Sequence, residues 1–589
     1  MQRLLTRFLL VVLAILAIGA QMVAAAPTAQ GRYGTLESLA TYFPKDSMLY
    51  TALRTDAQTI STLDNLMQSV TSQLPSNALP PDFPSTLTAA LSLITGQATG
   101  GSFESTVRPW LGDVLAVGIY PARESAAGRI VIQIRSPQAA IAAVQTAFPN
   151  WQRQNLTDFV VFSSTTDRNR VAIYQDVIIL YSWSDPSGPQ QFHAVIPDIS
   201  ANPYYRAALA RLPENNYSII SFIDSPLMLA YNERNNDDGS GPLRAALYRA
   251  IGPTAIGFTV LEGNTLTVDV AQAVGNRAGL DALGITFPGD GASLNPAILE
   301  RVPRDAVMVF HAADPGALLD AVGGNVQAVG KKFQTVLPSL TTAFIYSMSV
   351  SSVGTLSALT AGLNNPDWAT ILFNNLSGFD YTSEIRPLLA GDGALYLSFN
   401  PAYDRTSPRF VNREPLDGAL LLRVNDPAAA QTFMQKLARE LAITAYSMGD
   451  RYTLDIRETT LAGGATGIVL DIYGSTGQPL NQFVVAGADD LLVIGTPQAA
   501  NRVFSRDGVG FSVNTVTLLP NSGMALYLNT TPMVSAPAWT DFNESDPGNP
   551  LLQLLPFLMD NLTLSLAGTA DDDLLLRTTV TLPCGDDCG

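Results

Sequence analysis

Histidine, cysteine and lysine are scarce in this chain of 589 residues, and each shortage excludes a kind of chemistry. The two histidines, His193 and His311, lie far apart, and none of the Gly-x-Ser-x-Gly, His-Glu-x-x-His and Gly-x-x-x-x-Gly-Lys motifs is present. No lysine has a serine three positions before it, which excludes the Ser-x-x-Lys mechanism. We therefore predict no catalytic residue and no bound cofactor, with His311 at a strand end and His193 in a loop.

The two cysteines, Cys584 and Cys588, are the disulfide candidates, and they stand in the last six residues of the sequence. In an oxidising compartment the default expectation is a small local disulfide, with a reduced tail as the alternative. A zinc site would need four ligands, and neither histidine is near in sequence. The polar stretch Asn232–Gly241 lacks the alternating acidic spacing of a calcium loop, so it is predicted as a loop and no metal is expected.

Charge is also sparse, since 14% of residues are charged and the net charge is −17. Nucleic-acid binding needs clustered Lys and Arg against the phosphates, and no basic cluster is present, so this class of partner is excluded. The 47% of hydrophobic residues argues against disorder. The length then implies two to four folded domains.

The N-terminus has the pattern of an export signal. Arg3 and Arg7 precede the apolar run Phe8–Ala20, and small residues follow, which predicts a signal peptide at residues 1–25 with cleavage after Ala25. The alternative is an uncleaved anchoring helix, because the run extends to Ala26 with one polar interruption. A secreted or extracytoplasmic location follows in both cases, with membrane attachment in the second.

Two parts of the chain repeat the same series of motifs, which indicates an internal duplication. Pro44–Tyr50 (PKDSMLY) returns as Pro303–Val309 (PRDAVMV), and Phe103–Asp113 returns as Tyr381–Asp392. Each copy also ends in a pair of alternating strands, predicted at Ile256–Leu261 with Leu266–Val270, and at Leu562–Leu566 with Leu574–Leu582. So many matches in one order are hard to obtain by chance.

A second recurring pattern is a strand followed by Ser, Thr or Asp, then Pro, then a helical pattern. The short polar side chain caps the first N–H groups of the helix, and Pro at the first helical position has no N–H to leave unsatisfied. The pattern occurs at Ser136-Pro137, Asp185-Pro186, Ser225-Pro226, Asp314-Pro315, Asp426-Pro427, Thr496-Pro497 and Thr531-Pro532. The chain thus alternates strands with short helices, although Ser225 and Thr531 also fit ordinary turns.

We predict an α+β protein of two duplicated domains, each a largely antiparallel sheet with helices on one face, after the signal peptide. The first domain is expected at residues 36–275 and the second at residues 295–583. A linker rich in Gly and Pro at residues 276–294 joins them, and a Cys-containing tail occupies residues 584–589.

The segment Val107-Arg108-Pro109-Trp110-Leu111-Gly112-Asp113, placed before a strand and after a Pro-x-Asp strand opening, resembles the bacterial domain of unknown function 3352 family. The second copy keeps Arg386, Pro387, Gly391 and Asp392, with Leu388 in place of the tryptophan and Ala390 inserted. The resemblance covers most of the mature chain. It implies export and a repeated α+β build, with no catalytic residues to carry over. Because Asp113 and Asp392 recur at equivalent positions, a structural role in the turn before a strand is expected for both.

Three function hypotheses follow. The leading one is a non-catalytic structural or interaction protein that is secreted or lies in the cell envelope; its partner is unknown, and a cell-envelope protein is one candidate. The first alternative is a carrier of an apolar small molecule or lipid, because a sheet with a helix layer can enclose an apolar pocket. The second is a carboxylate-dependent hydrolase, which needs two acids facing each other in one cleft.

Overall fold

The structure is a computed structural model, and it describes residues 33–73, 84–99, 101–122, 126–164, 169–182, 197–235, 252–261, 265–272, 293–320, 379–400, 403–404, 406, 415–448, 452–506, 508–512, 518–536, 539, 559–568 and 574–582. The predicted signal peptide and both cysteines lie outside these residues, as do most of the predicted linker and His193. None of the described helices is both long and apolar enough to cross a bilayer.

The chain divides into two compact units, each an antiparallel sheet with helices. The first comprises Met1–Asn276, Phe557–Asp560 and Asp572–Gly589, and the second comprises Arg277–Pro556 and Asn561–Asp571.

The first unit has eleven described strands in the spatial order β4-β5-β6-β7-β3-β2-β1-β8-β9-β10-β20, every neighbouring pair being antiparallel. The strands are β1 (Leu49–Arg54), β2 (Leu111–Pro121), β3 (Ala126–Ile134), β4 (Gln152–Asn155), β5 (Val160–Ser163), β6 (Asn169–Ile173), β7 (Val177–Ser182), β8 (Ile219–Ile223), β9 (Thr254–Leu261), β10 (Thr265–Gln272) and β20 (Leu574–Thr581). The helices are α1 (Ala57–Gln73), α2 (Leu87–Thr99), α3 (Phe103–Thr106), α4 (Pro137–Ala147), α5 (Pro203–Ala210) and α6 (Ser225–Asn235), with 3-10 helices at Gly34–Glu37, Ala40–Tyr42 and Ile199–Ala201.

The second unit has nine described strands in the order β14-β15-β16-β17-β13-β12-β11-β18-β19, again with antiparallel neighbours. The strands are β11 (Ala306–Ala312), β12 (Gly393–Phe399), β13 (Leu416–Arg423), β14 (Tyr452–Thr460), β15 (Thr466–Gly474), β16 (Pro479–Ala488), β17 (Leu491–Gly495), β18 (Met524–Asn529) and β19 (Asn561–Gly568). The helices include α7 (Pro427–Met448), α8 (Pro497–Ser505) and α9 (Thr531–Ser535), with 3-10 helices at Pro296–Arg301, Arg386–Leu389 and Ala462–Gly464 and a π-helical turn at Tyr381–Ile385. A further helix is described over residues 315–320.

The two strand orders match position by position. Strands β4 to β7, β3, β2, β1, β8 and β9 of the first unit correspond to β14 to β17, β13, β12, β11, β18 and β19 of the second. An internal duplication predicts this agreement, because two random sheets of nine strands would rarely share one order. The α+β class and the antiparallel sheets are confirmed.

Helices cover both faces of each sheet, so the prediction of helices on one face was wrong. In β3, Ile130 and Ile132 pack toward α3 and α4, whereas Val131 packs toward α5 and the 3-10 helix Gly34–Glu37. The second unit likewise has one core beneath α8 and another beneath α7. The central strands are therefore apolar at successive positions, as strands buried on both faces usually are.

The C-terminal strand β20 also corrects the predicted domain bounds. The sequence assigned residues 574–582 to the second domain, but β20 pairs along its whole length with β10 in the first unit, from Thr265 opposite Thr581 to Gln272 opposite Leu574. An alternating strand has two edges, and its sequence pattern does not identify the strand that pairs with each edge.

The Pro-started helices follow the capping rule at four of the predicted junctions. The side chains of Ser136, Asp314, Asp426 and Thr496 each accept a backbone N–H two or three residues later. The other two described junctions begin helices as well, but there the cap position lies one residue earlier, at Asp224 and Thr530, and the Thr530 side chain accepts no capping hydrogen bond. Asp185-Pro186 lies outside the described residues, and Asn232 to Asn235 end helix α6 rather than begin a loop.

Candidate functional site

The family-like motif of the first unit forms the turn after α3 and the first three residues of β2. Trp110 is buried and donates its indole N–H to the carbonyl of Thr106 at 2.7 Å. Gly112 lies against the next strand, where a Cβ would come within 2.7 Å of the carbonyl carbon and oxygen of Gln133. The Gln133 side chain in turn accepts the backbone N–H of Asp113 at 3.0 Å. This turn is therefore closely packed against β3.

The second unit builds the same turn with different residues. Leu388 replaces the tryptophan and is buried in the core beneath α7. Gly391 approaches the carbonyl of Arg423, the counterpart of Gln133 on β13, so closely that a Cβ would overlap its oxygen. Both motif glycines thus meet the backbone of the adjacent strand, where only glycine leaves enough space.

The two motif carboxylates have different surroundings. Asp113 is 49% exposed and forms an ion pair with Arg135, which is 54% exposed. Asp392 is 6% exposed, and its Oδ1 lies 3.3 Å from His311 Nε2 on β11, which is 1% exposed. The structure thus places these equivalent acids in two unlike environments. His311 is the last residue but one of β11, as predicted for a strand end.

His311 and Asp392 form the one described pair in which histidine meets a carboxylate. His311 Nδ1 and Asp392 Oδ2 are buried and have no hydrogen-bond partner within the described part of the chain. Asp392 Oδ1 also accepts the backbone N–H of Asn295 at 3.4 Å. The histidine was predicted as a strand-end residue, and sequence reasoning missed its pairing with Asp392 because the two residues lie 81 positions apart.

A second buried cluster holds β20 in the first unit. Arg577 donates from Nε to Asp269 Oδ1 at 2.7 Å and from Nη2 to Oδ2 at 2.9 Å, in the two-pronged geometry that matches a carboxylate. Arg577 also bonds Glu214 at 2.8 Å, and the Tyr217 hydroxyl donates to Asp269 Oδ2 at 2.5 Å. Asp269 and Arg577 are directly opposite each other in the β10–β20 ladder.

The charges of this cluster stabilise one another. Burial alone would lower the pKa of Arg577, but hydrogen bonding and charge attraction to Asp269 and Glu214 outweigh burial and raise that pKa above its ordinary value. Burial and then the Asp269 carboxylate raise the pKa of Tyr217, so its hydroxyl stays protonated and donates. The cluster thus holds β20 against β10, and each of its charged groups is paired.

A third buried acid, Asp417 at the start of β13, lies beneath the N-terminus of α8. The Thr496 hydroxyl, which also caps this helix, donates to Asp417 Oδ1, and Oδ2 has no hydrogen-bond partner among the described residues. Burial raises the pKa of Asp417 above its ordinary value, although the Thr496 hydroxyl and the charge of Arg502 act in the opposite direction.

Replacing Asp417 with asparagine is expected to raise the melting temperature of the second unit by a few degrees at about pH 8. A carboxyl whose pKa is raised on folding contributes stability that is complete below its unfolded pKa and is lost as the pH rises through the folded pKa. Asparagine keeps an acceptor for Thr496 and carries no charge, so the gain should vanish near pH 4. The measurement is a thermal melt of the variant and the wild type at both pH values.

The control for this prediction is Thr496→Val, which removes the hydroxyl that stabilises the charged form and should lower the melting temperature most at the higher pH. An Asp417→Asn gain of the same size at both pH values would contradict the assignment.

Acidic residues do not gather into a metal site in the described residues, since no group of three or more Asp, Glu, His or Cys side chains is suitably placed there. Trp110 and Trp151 pack in or against the core beneath α4, and Trp539 contacts the ring of Phe399. Trp183, Trp368 and the acidic run 571–573 lie outside the described residues.

No protein-family model matches the chain, and no curated protein matches it. Crystal forms I and IV of TP0453 each align at 10% identity and a TM-score of 0.23, over 40% of this chain and 78% and 79% of that chain. So low a TM-score carries no argument about this protein, and the family resemblance stays a prediction.

Proposed function

We propose that this chain is an exported, non-catalytic structural or interaction protein of the cell envelope, formed by a duplicated α+β unit. The observation that carries the proposal is the contrast between what the two motif copies share and what they do not. Both keep the glycine against the adjacent strand and a large apolar residue in the core. The carboxylate that could perform chemistry is exposed in one copy and buried in the other.

Two further buried acids, Asp269 and Asp471, support the same proposal, because their partners hold secondary structure together. Asp269 joins β10 to β20 through Arg577, and Asp471 on β15 accepts both Arg457 and Gln482 from the strands on either side. A catalytic acid pair needs two carboxyl groups facing a shared space. The carboxylates in these clusters are instead saturated by cations, amides and hydroxyls.

The proposal is tested by chemical cross-linking in the native cell envelope followed by mass spectrometry of the affinity-purified chain. We expect cross-links to envelope proteins. We also expect the measured mass to be that of a mature chain whose first residue is Ala26. A chain without cross-links above those of an unrelated exported control protein would contradict the interaction role. A stoichiometric apolar compound in organic extracts of the pure protein would instead favour the carrier.

The hydrolase alternative is tested in parallel with ester and glycoside substrates that release nitrophenol. We expect no turnover above that of heat-denatured protein. Turnover that is lost in Asp392→Asn and retained in the exposed counterpart Asp113→Asn would overturn the non-catalytic proposal.

A further inference from the structure

The nine-residue strand β14 is an edge strand of the sheet in the second unit. It pairs with β15 from Tyr452 opposite Gly474 to Thr460 opposite Thr466, and no other described strand pairs with it. Its counterpart in the first unit, β4, has four residues. An edge strand presents a row of unpaired backbone N–H and C=O groups that can pair with another chain.

The ladder with β15 shows which residues of β14 direct these groups outward. The pair that follows Thr460 and Thr466 is Leu461 and Ala465, and the Leu461 N–H donates to the Ala465 carbonyl at 2.8 Å. Bonded and non-bonded pairs alternate in an antiparallel ladder, so the odd-numbered residues of β14 bond to β15. The even-numbered residues, including Leu454, Ile456 and Glu458, therefore direct their backbone groups away from the sheet.

The side chains of β14 are complementary to themselves when the strand is reversed. If two copies meet antiparallel with Ile456 opposite Ile456, Asp455 of each copy stands opposite Arg457 of the other. These positions are non-bonded pairs, in which facing side chains are closest. Asp455 and Arg457 are both exposed. Arg457 donates its Nε–H to Asp471 at 3.1 Å, which uses one of five guanidinium donors.

A row of apolar side chains crosses β16 and β15 and ends at Ile456 on the edge strand β14. Ile456 is paired with Leu470, which in turn is paired with Phe483 on β16. Leu470 is buried, Ile456 is half-buried against the core beneath α7, and Phe483 is 39% exposed. In the reversed pairing this row continues into the same row of the second copy.

We propose that β14 is a self-association surface, which pairs antiparallel with β14 of a second copy of this chain about Ile456. The result is a two-fold symmetric dimer in which the same residues contribute from both partners. Opposite charges at Asp455 and Arg457 select this register, because a two-fold centred at Arg457 would place two arginines opposite each other.

The test exchanges charges between the two positions in the full mature chain. Asp455→Lys and Arg457→Glu each place like charges opposite each other, so each variant alone should associate at least about tenfold more weakly than the wild type. An equimolar mixture of the two should recover the dimer, since every facing pair is then opposite in charge. Sedimentation velocity at about 1 to 100 μM measures the association.

Two further variants separate pairing from folding. Arg153→Glu makes the same change of charge as Arg457→Glu, but at an exposed position on the short edge strand β4, and it should leave the dimer intact. Glu458→Pro removes one backbone N–H that faces away from the sheet, a change that an edge strand tolerates. This variant should be folded by circular dichroism and monomeric by sedimentation velocity. A monomeric wild type over this range, a dimer that survives in both charge variants, or a mixture of folded variants that stays monomeric would each overturn the proposal.

Discussion

Replacing Arg577 with leucine is expected to destabilise the first unit by about 3–5 kcal/mol, because it leaves the buried Asp269 carboxylate without its charged partner. Asp269 is 1% exposed and receives two hydrogen bonds from Arg577, so water cannot replace the guanidinium without opening the sheet. Hydrogen exchange should accelerate first in β20 and β10. The measurement is urea unfolding together with amide exchange of residues 265–272 and 574–581.

The matched control is Arg135→Leu, which breaks the exposed ion pair with Asp113 and should cost less than about 1 kcal/mol. The double variant Asp269→Leu with Arg577→Leu removes both charges and should recover much of the loss, since apolar residues can replace a buried ion pair. If Arg577→Leu and Arg135→Leu were equally mild, the buried cluster would not be what holds β20.

Replacing either motif glycine with alanine is expected to destabilise its unit by about 1–3 kcal/mol or more, because a Cβ would force the turn away from the adjacent strand. In Gly112→Ala the new atom meets the Gln133 backbone at 2.7 Å, and in Gly391→Ala it overlaps the Arg423 carbonyl. Backbone atoms cannot rotate aside as a side chain can. The measurement is the urea unfolding midpoint of each variant.

Gly128→Ala is the control for this pair, since its Cβ would find no atom nearer than 4.0 Å. Its stability should change little or rise, because alanine loses less backbone entropy on folding than glycine does. Stable, unshifted Gly112→Ala and Gly391→Ala proteins would show that the repeated Gly-Asp is conserved between the copies for a reason other than packing.

The strands and capped helices were predictable because their signals are local. Alternation of apolar residues identified β9, β10, β19 and β20, and the polar-Pro pairs identified the starts of α4 and α8. The order of matching motifs also indicated two similar units. In each case the residues that form the pattern lie within one element or one turn of each other.

The candidate site was predictable only in part. Asp113 and Asp392 were predicted to act in the turn before a strand, but the contact of the neighbouring glycines with Gln133 and Arg423, which are on another strand, was not predicted. His311 was placed on its strand, but not against Asp392. A buried acid and an exposed acid look alike in sequence, so the difference between Asp392 and Asp113 could not be anticipated.

The sequence by itself determined the α+β class, the repeated series of elements and the scarcity of residues for familiar catalysis. The tertiary structure alone decided that helices cover both faces of each sheet, that β20 joins β10, and that Asp269 and Asp392 are buried with Arg577 and His311. The two buried pairs join residues that are far apart in the chain: 308 positions separate Asp269 from Arg577, and 81 positions separate His311 from Asp392. Burial changes the energy of a charge only after such long-range contacts have excluded water.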